Sequence, residues 1–242
     1  MTKLFFNTSL NELFTDKLID FYSNCPLFAW VTGRKDNYQR LVELGLLDNI
    51  PYGTRDVSIN GFYLLSRIVR NYFRMTNTIS NKVNRNLGSN WNTTNRIGIH
   101  IRKGDKTSDL RESHPFLYNS DVNSFIECNI IKNYTNPTIY LASDSTVAKL
   151  QFQSLNKKYN YHIMTTNIKA RHTSVYSLSK GPSSILFNTV ADLLSIAQSD
   201  IVIGTQDSTF SIVAAAFQGK VPYLVAKHKH CYQPQILVFY SN

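Results

Sequence analysis

Ile97-Gly98-Ile99-His100-Ile101-Arg102 is a short run in which isoleucine takes every second position. Alternation of this kind sends the three isoleucines to one face of a β-strand and Gly98 and His100 to the other. Further along the chain the same kind of run recurs at Thr138-Ile139-Tyr140-Leu141-Ala142, Tyr161-His162-Ile163-Met164, Asp200–Ile203 and Val221–Val225. Helical patterns fall between these runs, near Val122–Lys132, Thr146–Tyr159, Ser184–Gln198 and Ser208–Gln218. Strand–helix alternation at this rhythm predicts a parallel sheet covered on both faces by helices. The expected domain is open α/β and covers residues 96–242.

Residues 1–95 read as a separate, mostly helical region. Leu10, Leu13, Phe14, Leu18 and Phe21 keep a 3.6-residue period, with Thr8 or Ser9 available as N-cap. Tyr38, Leu41, Val42 and Leu44 suggest a second short helix ended by Gly45. A third runs from about Ser58 to Tyr72, with Phe62, Leu65, Ile68, Val69 and Tyr72 on its apolar side. Pro26 and Pro51-Tyr52-Gly53 mark breaks, and the rest of 58–95 reads as a linker into the α/β domain.

The chain has 242 residues, 43% of them hydrophobic, which is ample for a core and excludes disorder or a collagen-like repeat. Cys25, Cys128 and Cys231 are widely spaced and odd in number, so buried thiols are expected rather than a disulfide framework or a zinc knuckle. No run of about 18 apolar residues exists to span a membrane. The opening Met1-Thr2-Lys3-Leu4-Phe5-Phe6 soon meets polar residues and lacks a signal-peptide core, which favours the cytosol. Sequons at Asn7, Asn92 and Asn133 are expected by chance in a chain so rich in Asn, Ser and Thr.

The formal net charge is +10, and no acidic residue lies between Asp56 and Asp105. Within that gap Arg67, Arg70 and Arg74 sit at helical spacing and would share a face, followed by Lys82 and Arg85. Such a stripe is either a solvated helix face or an attraction for a polyanion. Nucleic acid is the weaker partner, because RRM, KH and helix-turn-helix signatures are missing.

In open parallel sheets ligands bind outside the carboxyl ends of the strands. Those ends carry His100-x-Arg102-Lys103-Gly104-Asp105-Lys106, then Ser143-Asp144-Ser145, then Thr165-Thr166, then Gly204-Thr205-Gln206-Asp207-Ser208-Thr209. Cations, carboxylates, hydroxyls and a helix start suit an anionic ligand with hydroxyl groups, such as a nucleotide diphosphate. Arg102 can fork onto phosphate oxygens. The amides that follow Ser208, with the Ser208 and Thr209 hydroxyls, complete an anion cradle. Asp144 or Asp192 could accept from a base or ribose. Each position also has a plain reading: a packed strand histidine at His100, a surface cation at Arg102, a turn residue at Asp105, a helix N-cap at Asp144 and Ser145. Asp192 lies mid-helix among Val190, Leu193 and Leu194, where a lone carboxylate is costly to bury, so a specific partner is expected. No G-x-G-x-x-G follows the first strand and no Walker A sequence occurs, which argues against a dinucleotide dehydrogenase or a P-loop NTPase.

His100-Ile101-Arg102-Lys103-Gly104-Asp105-Lys106 resembles the H-x-R-x-x-D motif of the α1,2-, α1,6- and protein O-fucosyltransferase superfamily. The His114-Pro115 pair, Ile139-Tyr140-Leu141-Ala142-Ser143-Asp144, and the run from Asp192 to Asp200 and on to Thr209 resemble later parts of that family in the same order. The resemblance covers about residues 60–220. It implies a GT-B-like protein of two facing Rossmann-like domains, whose C-terminal half holds the donor GDP-fucose without a metal or other cofactor. Arg102 would contact the β-phosphate, His100 and Asp192 the guanosine, and Ser208 the phosphates. Asp105 and Lys106 would support the loop carrying Arg102. Fucose would pass with inversion to a glycan or glycoprotein hydroxyl, and the family's setting would be the secretory pathway. The family's catalytic glutamate falls on Leu110 here, flanked by Asp109 and Glu112, either of which could act as the base. The family's glycine-rich opening segment is missing, and 1–95 is short for a full first domain. A nucleotide-sugar-binding module without turnover is therefore the alternative.

Overall fold

The computed structural model describes residues 73–92, 95–102, 133–154, 161–166, 183–205 and 208–225, with 6–7, 43, 62–63, 65–67, 69–71, 125 and 131 beside them. The strands are β1 (Phe6–Asn7), β2 (Arg74–Met75), β3 (Arg96–Ile101), β4 (Thr138–Ser143), β5 (His162–Thr165), β6 (Ile201–Thr205) and β7 (Tyr223–Val225). The helices are α1 (Asn77–Leu87), α2 (Thr146–Ser154), α3 (Ser183–Ala197) and α4 (Thr209–Gln218). A five-stranded sheet runs in the order β5-β4-β3-β6-β7, with every neighbouring pair parallel. The fold is α/β and Rossmann-like, as the alternation of runs and helices predicts.

Alternation within β3 sorts the two faces. Ile97, Ile99 and Ile101 join Ile139, Leu141, Ile203 and Val225 in an apolar layer with Ala148 and Phe152 of α2. The opposite face takes Tyr140, Ala142, Val202 and Leu224 against α1, α3 and α4. Both layers exclude water, so all six residues of β4 are buried. That is why these strands read as apolar runs rather than as half-polar ones.

Two glycines set how closely the helices approach the sheet. A Cβ on Gly98 would stand 2.8 Å from the Ile196 carbonyl oxygen and from Ser199 Oγ, at the end of α3. A Cβ on Gly204 would run into the Ser211 side chain of α4. Glycine at these two positions lets α3 and α4 lie against the strands that carry the candidate site.

Upstream, residues 62–63, 65–67 and 69–71 are helical, and Phe62, Leu65 and Val69 are buried as their spacing predicts. Ser66 Oγ donates to the Ala216 carbonyl at 2.8 Å and ties this segment to α4. The stretch taken as linker contains α1, whose Ile79, Val83 and Leu87 recur at helical spacing and are buried. Arg74 does not continue the helical face of Arg67 and Arg70, because it lies in β2, paired antiparallel with β1. Its guanidinium instead donates to the Arg70 carbonyl. The helix expected at 10–21, the one at 38–44 apart from Glu43, which is helical, the three cysteines, and 155–160 fall outside the described residues.

Candidate functional site at the carboxyl edge of the sheet

The strand order places a topological switch point between β3 and β6: the chain leaves β3 toward β4 and β5, then returns to the far side of β3 as β6. A crevice opens at the carboxyl end of such a pair, where the loops that follow the strands diverge. Arg102 follows β3, and Ser208 caps the helix that follows β6.

Hydrogen bonds tie the two strand ends together. The Arg102 backbone N–H donates to Thr205 Oγ1 at 2.8 Å, and the Thr205 hydroxyl lies 3.3 Å from the His100 carbonyl. His100 Nδ1 sits 2.9 Å from Ser211 Oγ and 3.3 Å from Ser208 Oγ. The His100 ring stacks on Phe210, centroids 4.4 Å apart at 30°. Only 6% of His100 is exposed. Burial first, and the Arg102 charge second, push the ring down from 6.5 to about 3, so it is neutral at physiological pH. A neutral ring offers one donor and one acceptor and adds no charge to the crevice.

Ser208 has an extended backbone and no side-chain bond to the first turn of α4. The first amides of α4 therefore rely on other acceptors, which is the condition for an anion cradle. Thr209 is the first residue of that helix.

A second group lies one strand over. Tyr140 donates to Asp192 Oδ1 at 2.6 Å, and Thr166 Oγ1 lies 3.4 Å from both carboxylate oxygens. Lys149 Nζ donates to the Thr166 carbonyl at 3.0 Å. Asp192 thus has the partner its mid-helix position demands. Burial pushes its carboxyl up, and the Tyr140 hydrogen bond and Lys149 charge oppose that rise. Burial likewise pushes the Lys149 ammonium down, against the pull of Asp192.

Ser145 rather than Asp144 caps α2, its Oγ accepting from the Ala148 N–H at 3.2 Å. Asp144 sits half-buried in the turn before it. Asp105, Lys106, Asp109 and Glu112 lie outside the described residues. The structure therefore joins His100, Arg102 and Ser208 in one bonded group and gives Asp192 a separate one. Sequence reasoning assigned no role to Tyr140, Lys149, Thr205, Phe210 or Ser211. Ser211 was within reach, since it follows Ser208 by three residues and shares its helix face.

The opposite edge holds a pocket of about 360 Å³ lined by Tyr134, Asp200, Lys220 and Tyr223, among others. Arg96 forks onto Asp200 there, at 3.2 and 2.7 Å. Gln218 and Lys220 donate to the Asp200 carbonyl. These polar groups satisfy one another, as in a structural clamp.

No protein-family model matches the chain, and no curated protein does. Among solved structures it is similar to an arginine-to-lysine mutant of Arabidopsis thaliana FUT1 in complex with GDP, at 13% identity and a TM-score of 0.49. That likeness takes in 75% of this chain and 42% of the other. Among the described residues no helix is long and apolar enough to cross a membrane, and no cluster of three His, Cys, Asp or Glu side chains could hold a metal ion.

Proposed function

We propose that residues 96–242 form the donor half of a GDP-fucose-dependent, metal-independent fucosyltransferase that acts on a glycan or glycoprotein hydroxyl. The observation that carries this reading is the meeting of His100, Arg102, Thr205 and Ser208 at the switch point. These residues belong to the two segments that resemble the family's first and last motifs.

In this reading the diphosphate lies over the start of α4, whose amides receive its oxygens. Arg102 neutralises the charge that grows on the β-phosphate as the bond to fucose breaks. Thr205 fixes the main chain at both His100 and Arg102, so the guanidinium starts from a set position. Neutral His100 and the Asp192 carboxylate take the guanosine. Asp109 or Glu112 removes the acceptor proton as fucose transfers with inversion.

A thermal-shift screen of GDP-fucose, GDP-mannose, UDP-sugars and ADP tests the donor class. GDP compounds at about 100 times their Kd should stabilise by about 2.7 kcal/mol and raise Tm by about 5–10 °C, with UDP and ADP compounds inert. Equal shifts with every nucleotide, or none with GDP compounds, would contradict the reading. Fucose transfer to a glycan panel then separates an enzyme from a module that binds without turnover.

A further inference from the structure

Lys149 is a polar residue that the reaction as drawn does not use. It sits on the inner side of α2, only 5% exposed, in the same turns as the buried Ala148 and Phe152. A lysine is expensive at such a position, and an apolar side chain of equal length would fill it at lower cost. Its ammonium runs to the carboxyl end of β5. There it donates to the Thr166 carbonyl and lies 3.4 Å from Thr166 Oγ1. The same hydroxyl stands 3.4 Å from both Asp192 oxygens. Tyr140 takes Asp192 Oδ1 at 2.6 Å. Among the described residues, Oδ2 has the long Thr166 contact alone, which leaves it room to accept from a ligand.

We propose that Lys149 is a positioning residue: acting through Thr166, it sets Asp192 to accept hydrogen bonds from the base of a bound guanine nucleotide. The inference rests on the GDP site proposed above. Guanine presents adjacent N–H donors on one edge, which a carboxylate can receive together; a protonated carboxyl cannot. The titratable groups bearing on Asp192 are Tyr140 from β4, Lys149 from α2 and Lys82 from α1. Of these, Lys149 is the buried cation, so its loss should move the protonation of Asp192 toward neutral pH.

The test uses Lys149→Met, which keeps the aliphatic stem, and Thr166→Val, which deletes the connecting hydroxyl. Calorimetric titration of GDP into the whole chain between pH 5.5 and 8.5 should show Lys149→Met weakened most at the acid end of that range, by at most about tenfold. Above pH 8 it should return to within about twofold of wild type, as expected if one unit of pKa is at stake. Thr166→Val should show a smaller loss with the same pH dependence. A loss equal at every pH, or no loss, overturns the proposal, since a merely structural lysine would not produce recovery at high pH. A carboxyl ¹³C titration of Asp192 without nucleotide separates this from the donor reading. A higher midpoint in Lys149→Met supports the coupling, and an unchanged midpoint overturns it. Wild type that binds no GDP while that midpoint still moves counts against the GDP site alone.

Discussion

At the amino edge of the sheet Arg96 lays both arms of its guanidinium on Asp200, and Gln218 and Lys220 close over the same residue. At the carboxyl edge Arg102 follows the same strand, yet what ties it to Thr205 is its main chain. The first arginine is raised above its usual value by the Asp200 hydrogen bond, and Asp200 is lowered by the same bond. Around the second, His100 has been stripped of charge by burial. One edge therefore spends its polar groups on closing the fold. The other fixes its backbone, and it is there that the proposed function places the anionic ligand. A pocket of about 360 Å³ lies at the amino edge.

This contrast can be broken at several points, and the largest effect belongs to Gly204. Gly204→Ala drives a Cβ into Ser211 and should cost about 1–3 kcal/mol, seen as a lower urea midpoint. In a Ser211→Gly background, which lacks the atoms the new Cβ meets, most of that added cost should be recovered. No recovery would mean that α4 does not depend on this close approach.

Next comes His100. Its folded pKa of about 3 lies below the ordinary 6.5, so the unfolded chain takes up a proton first as the pH falls. The stability it contributes is complete above pH 6.5 and is lost progressively toward pH 3. His100→Asn should flatten the stability profile across that window, measured by urea unfolding at successive pH values. A profile as steep as wild type would show that the ring is not buried as described.

The smallest effect is at the clamp. Asp200 has a lowered pKa, so its contribution is present above 3.8 and fades as the pH falls through the folded value. The pair is 33% and 40% exposed, so screening keeps it modest. Asp200→Asn should cost about 0.5–1 kcal/mol at pH 7, less in high salt, and progressively less as the pH falls below 3.8. A larger cost that persists in acid would mean that the clamp works through packing.

Much of the α/β domain was legible because its strands are buried on both faces. Ile97, Ile99 and Ile101 carry the alternation in plain view, and β4 is buried throughout. α1 was harder to see, since Ile79, Val83 and Leu87 are separated by Asn, Ser, Lys and Arg and resemble linker sequence. Its apolar stripe is narrow because only one side packs, chiefly on α3. Arg74 misled because spacing in the sequence continues through a break that the backbone does not respect. Position along the strands foretold that His100, Arg102 and Ser208 come together, since strand ends gather by topology. The grouping of Tyr140, Thr166 and Lys149 around Asp192 was not legible, for a different reason. Their meeting with Asp192 depends on how β4, β5, α2 and α3 pack, which no local pattern encodes.

The most direct measurement is calorimetric titration of GDP into the wild-type chain, Arg102→Ala and Arg96→Ala under one set of conditions. The account predicts that Arg102→Ala weakens GDP by about 100-fold or more, as expected for a lost charged contact to phosphate. Arg96→Ala should stay within about twofold of wild type while lowering thermal stability slightly. Wild type with no affinity for GDP, or an Arg102→Ala variant that binds as tightly as wild type, would contradict it.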